Sequence, residues 1–298
     1  SLYVAGYQGD NAYLSKMDSH NLTEEWKILT DSAVMENYFD VKTFSDGSAV
    51  VVGTYDADPN GGERDVLVRK YGADGTMLWE DIFGSQSGNN DQGTSVAVGT
   101  DGSVYVAGYV GYVFSGVHAG MDDAVMRKYS SNGSIIWTEQ FGSNRDDHIL
   151  GIDVSDDGSI YVAGWTDAAL QGANLGLDDA FLRKYDASGS SYEWTKQFGT
   201  GWYDRATEVV VSPDGYIYVA GYVDYPQSQG GDNQAFLRKY DSAGNEIWVR
   251  EFGSAGFDEV SALTVASDNT IYVAGTTEGQ FLDIGANPQC QGGNGDVF

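Results

Sequence analysis

Residues 213–221 read Pro-Asp-Gly-Tyr-Ile-Tyr-Val-Ala-Gly. The Asp-Gly pair supplies the positive φ of a tight turn, and an alternating aromatic and β-branched run follows it to a closing glycine. This is a hairpin turn leading into a buried strand. The passage recurs along the chain. Tyr-Val-Ala-Gly ends at Gly6, Gly108, Gly164, Gly221 and Gly275, and a Val-Val-Val-Gly variant ends at Gly53. The mean spacing is about 54 residues, the size of a propeller-blade repeat. The turn recurs as Asp46-Gly47, Asp101-Gly102, Asp157-Gly158 and Asp268-Asn269.

Outward from this stretch the same unit holds three more strand-like runs. Val209-Val210-Val211 precedes the turn, and Ala235 to Tyr240 follows a loop. A second turn, Ser242-Ala243-Gly244-Asn245, leads into Glu246 to Phe252. Two further markers keep the same order along the chain: Arg-Lys-Tyr at 69–71, 127–129, 183–185 and 238–240, with Ser15-Lys16-Met17 as the degenerate first copy, and a tryptophan at 26, 79, 137, 194 and 248. No window sustains a 3.6-residue period, so almost no helix is expected. Four short antiparallel strands per period, called a to d here, predict an all-β chain of four-stranded blades, a β-propeller. A parallel β-helix has shorter repeats without paired hairpin turns. Six blade positions are represented, with seven as the second choice. One propeller domain is expected over 1–298, in units of about 1–30, 31–84, 85–142, 143–199, 200–253 and 254–298. The first residues, Ser1 to Gly6, already read as strand b, and Asp296-Val297-Phe298 reads as the start of strand c. These ends do not sum to a whole blade, so a portion of a longer polypeptide is expected.

Three segments carry a family likeness: Val-x-Val-x-x-Asp-Gly-x-Ile-Tyr-Val-Ala-Gly, then Asp-Asp-Ala-Phe-Leu-Arg-Lys-Tyr-Asp-x-x-Gly, then Trp-x-x-x-Phe-Gly. Together they resemble the bacterial β-propeller repeat called SBBP, across essentially the whole chain. The resemblance implies a propeller, frequently inside large secreted or surface proteins, and no single activity. A fainter likeness to quinoprotein propellers rests on Gly-x-x-x-Trp at Gly75 to Trp79, Gly133 to Trp137 and Gly244 to Trp248. It is read as blade-to-blade packing, because no cofactor ligands accompany it.

Composition narrows the function classes. The chain has 298 residues, 41% apolar and 13% aromatic, enough for a large core. Asp and Glu outnumber Lys and Arg 44 to 16, a formal charge of −28. That field argues against nucleic acid, whose phosphates need clustered cations. No stretch approaches the length of a membrane-spanning helix. The one cysteine, Cys290, excludes an internal disulfide framework. Few cysteines and strong acidity suit a secreted or cell-surface bacterial protein.

Three sets of residues are candidates for function. The b–c loops are long and variable, whereas the a–b and c–d turns are short. With the d–a loops they should form one face, carrying Tyr109, Tyr112, Phe114, Trp165, Trp202, Tyr203, Tyr222 and Tyr225. Exposed rings beside carboxylates would suit a glycan or a protein ligand. The competing reading, that many rings pack the loops down, is favoured on burial grounds. The second set is a periodic carboxylate before strand a: Glu36, Asp147, Asp204 and Asp258, with Asp91 joining if its loop carries a two-residue insertion. Another set opens strand c at Asp65, Asp123, Asp179 and Asp296. Oxygen-only groups of this kind suit Ca²⁺. The alternative, favoured because no Asp-x-Asp-x-Asp-Gly loop is present, is that each carboxylate caps backbone N–H groups of its own turn. The Arg-Lys pairs are expected to meet carboxylates across strands or blades. His20 and His118 share no spacing with His148, which follows Asp146 and Asp147 and could form an acid/base or metal corner with them. No nucleophile or metalloprotease motif occurs. The expectation is a non-enzymatic binding or scaffold module. The alternatives are a glycan-active lyase or hydrolase using carboxylates at the channel mouth, and a structural spacer.

Overall fold

The computed structural model describes residues 1–30, 34–56, 64–85, 89–115, 119–225, 233–254, 256–279 and the backbone of 296–297. Every regular element among them is a β-strand. His118, Cys290 and Phe298 lie outside the described residues, as do parts of the b–c loops. The chain divides into two compact units, Ser1–Gly158 and Ser159–Phe298.

The first unit begins with β1 (Leu2–Gln8), β2 (Asn11–Met17) and β3 (Glu24–Leu29), an antiparallel three-stranded sheet. A four-stranded sheet follows from β4 (Met35–Thr43), β5 (Ala49–Asp56), β6 (Arg64–Tyr71) and β7 (Met77–Phe83). The next is β8 (Gln92–Val98), β9 (Val104–Val110), β10 (Asp123–Tyr129) and β11 (Ile135–Phe141). The unit closes on β12 (Asp147–Val154), which packs against β8 and β9. The second unit contains β13 (Ile160–Thr166), β14 (Asp179–Tyr185) and β15 (Tyr192–Phe198), joined antiparallel in that order. Its four-stranded sheet is β16 (Asp204–Val211), β17 (Ile217–Val223), β18 (Gln234–Tyr240) and β19 (Glu246–Phe252). It ends with β20 (Asp258–Val265), β21 (Ile271–Thr277) and β22 (Asp296–Val297). The last pairs with β21 as a strand c should.

The apolar character of strand b follows from its position. Val50 and Val52 point to one face and join Val66, Val68, Val96, Val104 and Val106 between two sheets. Val51 points to the other face and meets Ala12, Leu14, Tyr38 and Leu67. Both faces are covered, so the strand is apolar at consecutive positions rather than at alternate ones. The second unit repeats the arrangement, with Ile217 and Val219 in one core and Tyr218 and Ala220 in the next. Each fully buried aliphatic side chain contributes roughly 1.5–3 kcal/mol.

The glycine that closes the repeated strand has a steric cause. Strand a bulges beside it, between Tyr38 and Asp40, Gly93 and Ser95, or Ala206 and Glu208. A Cβ on Gly53, Gly108 or Gly221 would overlap the carbonyl oxygen of Asn37, Gln92 or Arg205. The turns form as their residues require. Gly47, Gly102 and Gly215 have φ of 80°, 77° and 82°, and Asn269 takes 67° where the repeat has lost its glycine.

Neighbouring sheets are joined by the repeated tryptophan. The Trp26 Nε1–H donates to the carbonyl of Ala73 at 3.0 Å, and Trp194 to that of Ser242 at 3.4 Å. The rings lie against Gly75 and Gly244 in the following c–d turn, where a Cβ would be crowded at Gly75 and would clash at Gly244. The Gly-x-x-x-Trp motif is thus a packing device, each glycine receiving the previous repeat's tryptophan.

Candidate functional site

The periodic carboxylates are buried, and most serve the turn that precedes strand a. Asp147 accepts from the Ser143 N–H. Asp204 accepts from the Thr200 N–H at 2.5 Å and the Asp224 N–H at 3.0 Å. Asp258 accepts from the Ser254 N–H at 2.6 Å. Asp91 caps Ser85 six residues back instead of four, and also accepts from the Gly111 N–H at 2.7 Å. The cap still reaches Ser85 despite the two-residue insertion. Glu36 forms a buried ion pair with Arg69 at 2.8 Å, and Arg69 also donates to Tyr38 Oη at 2.9 Å.

The strand-c carboxylates sit beside these caps. Asp123 accepts from Gln140 Nε2 at 2.8 Å and Asp179 from Gln197 Nε2 at 2.7 Å. The glycine of three Phe-Gly pairs, Gly84, Gly142 and Gly199, lies between the two sets. A Cβ on Gly142 would strike Asp123 and Asp147, and one on Gly199 would strike Asp204 and press on Asp179. Burial, reinforced by the Asp179 charge, pushes the Asp204 carboxyl up to about 6 against the hydrogen bonds it accepts. Asp91 is raised by burial in the same way, with Asp65 adding to it. Among the described residues, no three His, Cys, Asp or Glu side chains converge as a metal would require.

The aromatic set separates by burial. Trp165 and Tyr222 are buried, while Tyr109, Phe114 and Tyr225 are half-buried. Phe114 stacks on Phe83 at 5.2 Å, with the Arg127 guanidinium over both rings. The Tyr225 hydroxyl donates to Glu251 at 2.8 Å. Tyr112, Trp202 and Tyr203 are 52%, 43% and 46% exposed.

Two of these rings, Tyr109 and Trp165, belong to an arrangement that sequence spacing does not reveal. In the first unit the His148 ring lies flat on Tyr109, centroids 3.7 Å apart at 12°. His148 Nε2 is 3.1 Å from Asp122 Oδ2, and the Tyr109 hydroxyl donates to Gln92 at 3.1 Å. The corner expected from Asp146 and Asp147 is differently built: Asp147 caps Ser143, and Asp146 accepts from the Asp122 N–H at 3.0 Å. In the second unit the equivalent positions hold Trp165, Arg205 and Asp178. The Arg205 guanidinium lies 4.4 Å from the Trp165 ring centroid and donates to Asp178 at 2.6 Å. The ring follows the strand-b glycine, the acid precedes strand c, and the stacked side chain follows the next cap. The readable signal is that residue after the cap, which runs Asn37, Gln92, His148, Arg205, Glu259 while its neighbours stay constant.

Beside this stack the second unit displays its exposed rings on a fixed backbone. The Trp202 N–H donates to Thr200 Oγ1 at 3.2 Å, and the Trp202 carbonyl accepts from the Leu177 N–H at 3.1 Å. Asp178 bridges Tyr203 in parallel. Leu175 and Leu177 are exposed on the adjoining loop.

Together these features define a β-propeller. A solved structure described as the Dos1 propeller superimposes with a TM-score of 0.55 at 11% identity, over 91% of this chain and 61% of that one. The chain carries a beta-propeller repeat of the SBBP family, matched at residues 193–222. Among curated proteins, Regulatory protein FlaEY of Caulobacter vibrioides is 30% identical over 87% of this chain. An uncharacterized WD repeat-containing protein, L264 of Acanthamoeba polyphaga mimivirus, is 22% identical over 53%. The chain spans 30% and 14% of the lengths of these two relatives.

Proposed function

We propose that the chain is a non-enzymatic binding and scaffold propeller module that takes a glycan or a protein surface on its b–c and d–a loop end. The observation that carries this reading is the patch of Trp202, Tyr203, Leu175 and Leu177. Its rings are exposed while its backbone is fixed by Thr200, Asp178 and the Asp204 cap. A ligand meeting a preorganised patch loses less to ordering it. The carboxylates that a hydrolase or lyase would use, Asp147 and Asp204, are fully buried and engaged by their own turns, which favours binding over catalysis. A relative named as a regulatory protein fits a module that acts by association. The acidic composition suits a secreted or cell-surface setting. An array of glycans and surface proteins, probed with the wild type and a Trp202→Ala, Tyr203→Ala double variant, tests the proposal. Binding that disappears in the variant with an unchanged melting temperature is expected. Equal binding by both would overturn the site.

A further inference from the structure

Away from the loop end, the second unit has a cleft of about 470 Å³ between β15 and the adjoining β18–β19 hairpin. Lys196, Phe198, Arg238, Tyr240 and Glu246 line it. One interface of the first unit shows the equivalent position filled by a carboxylate. Between β7 and β10, Arg127 donates from Nη1 to Asp81 at 3.0 Å and from Nε to Thr138 Oγ1 at 2.8 Å, with its guanidinium over Phe83. The Tyr129 hydroxyl donates to the same Asp81 carboxylate at 2.7 Å. Counted from the repeat tryptophan, Lys196 stands where Asp81 stands, and Phe198 where Phe83 stands. Val249 pairs with Arg238 as Thr138 pairs with Arg127. Arg238 keeps the stack on Phe198 at 4.1 Å and recruits Glu246 at 2.7 Å. Its Nε is buried with no acceptor, and among the described residues Lys196 has no acidic partner.

We infer that this cleft binds a carboxylate supplied by a ligand, in the position that the Asp81 side chain occupies in the equivalent interface. Lys196 supplies the charge. Arg238 supplies directed donors, with a planar group held flat by Phe198. The cleft is a local cationic exception in a chain of net charge −28, so selection rests on short-range contacts rather than on long-range attraction. A leaner packing explanation would leave a buried guanidinium N–H unsatisfied beside an ammonium that has only the Trp194 ring, at 5.9 Å, and no acidic partner among the described residues. The carboxylate could come from a sugar acid or from an acidic peptide side chain.

Calorimetric titration of the whole chain at matched ionic strength separates these sources. The probes are D-glucuronate and N-acetyl-glutamate amide, with glucose as the neutral control. Binding of at least one acid, and none of glucose, is expected. Lys196→Asp restores an internal carboxylate. It should raise the melting temperature of the ligand-free protein and weaken acid binding about tenfold or more. Val249→Thr, which gives Nε its acceptor, should do the same to a smaller degree. No binding of either acid by the wild type, or binding undiminished in Lys196→Asp, would overturn the inference. So would a lowered melting temperature in Lys196→Asp.

Discussion

Asp204 is the residue whose titration the fold most clearly controls. Its carboxyl is raised from an ordinary value of 3.8 to about 6, because burial and the Asp179 charge oppose ionisation. A folded-state pKa above the unfolded one means that the native state holds its proton more tightly. The associated stability is fully present below about pH 4 and is lost as pH rises through about 6. Roughly two units at 1.4 kcal/mol each give at most ~3 kcal/mol. Screening by nearby solvent reduces this to about 2 kcal/mol. Asp204→Asn removes the titration. It also turns one amide N–H toward a backbone donor, at Thr200 or Asp224, so the variant should be weaker at acidic pH by about 1–3 kcal/mol. The informative quantity is therefore the slope. Urea unfolding of both proteins from about pH 4 to about pH 7 should show the wild type losing about 2 kcal/mol more than Asp204→Asn. The general repulsion of an acidic chain is common to both and cancels in the difference. An identical pH dependence in the two proteins would refute the reasoning.

Three further outcomes follow from particular contacts. Gly221→Ala places a Cβ on the Arg205 carbonyl oxygen and should lower stability by about 1–3 kcal/mol or more in urea unfolding, whereas an alanine for the open Gly9 would not act by this route. Arg69→Met leaves Glu36 buried without its partner and should cost about 3–5 kcal/mol. Pairing it with Glu36→Gln should recover part of that loss in the same assay. Trp194→Phe removes the hydrogen bond to Ser242 and should cost about 1 kcal/mol, read as a lower urea midpoint with an unchanged slope.

Most of the blade was legible because its signals are local. Asp-Gly turns and most capping carboxylates act within a few residues of themselves, and the closing glycine acts across one hairpin of nearly constant length, so a repeat in sequence is a repeat in structure. The insertion before Asp91 could be read from the shifted spacing alone, since the cap must still reach Ser85. The stack was not legible. His148 and Asp122 are 26 residues apart, with strands c and d between them, so no short motif joins them. Proximity in sequence pointed instead to Asp146 and Asp147, whose carboxylates are occupied by backbone donors. Burial of the aromatic set also depended on neighbours. Trp165 is covered by Arg205 from the next sheet, while Trp202, with its backbone fixed in the d–a loop, leaves its ring in solvent.

Trp202 gives the most direct test of a binding module that leaves its ligand chemically unchanged. Its fluorescence would be followed on adding a ligand identified by the array, and the ligand then recovered for mass spectrometry. The account predicts a saturable change that disappears in Trp202→Phe, and recovery of the ligand intact. A response of the same size in Trp202→Phe, or a cleaved or otherwise altered ligand, would contradict it.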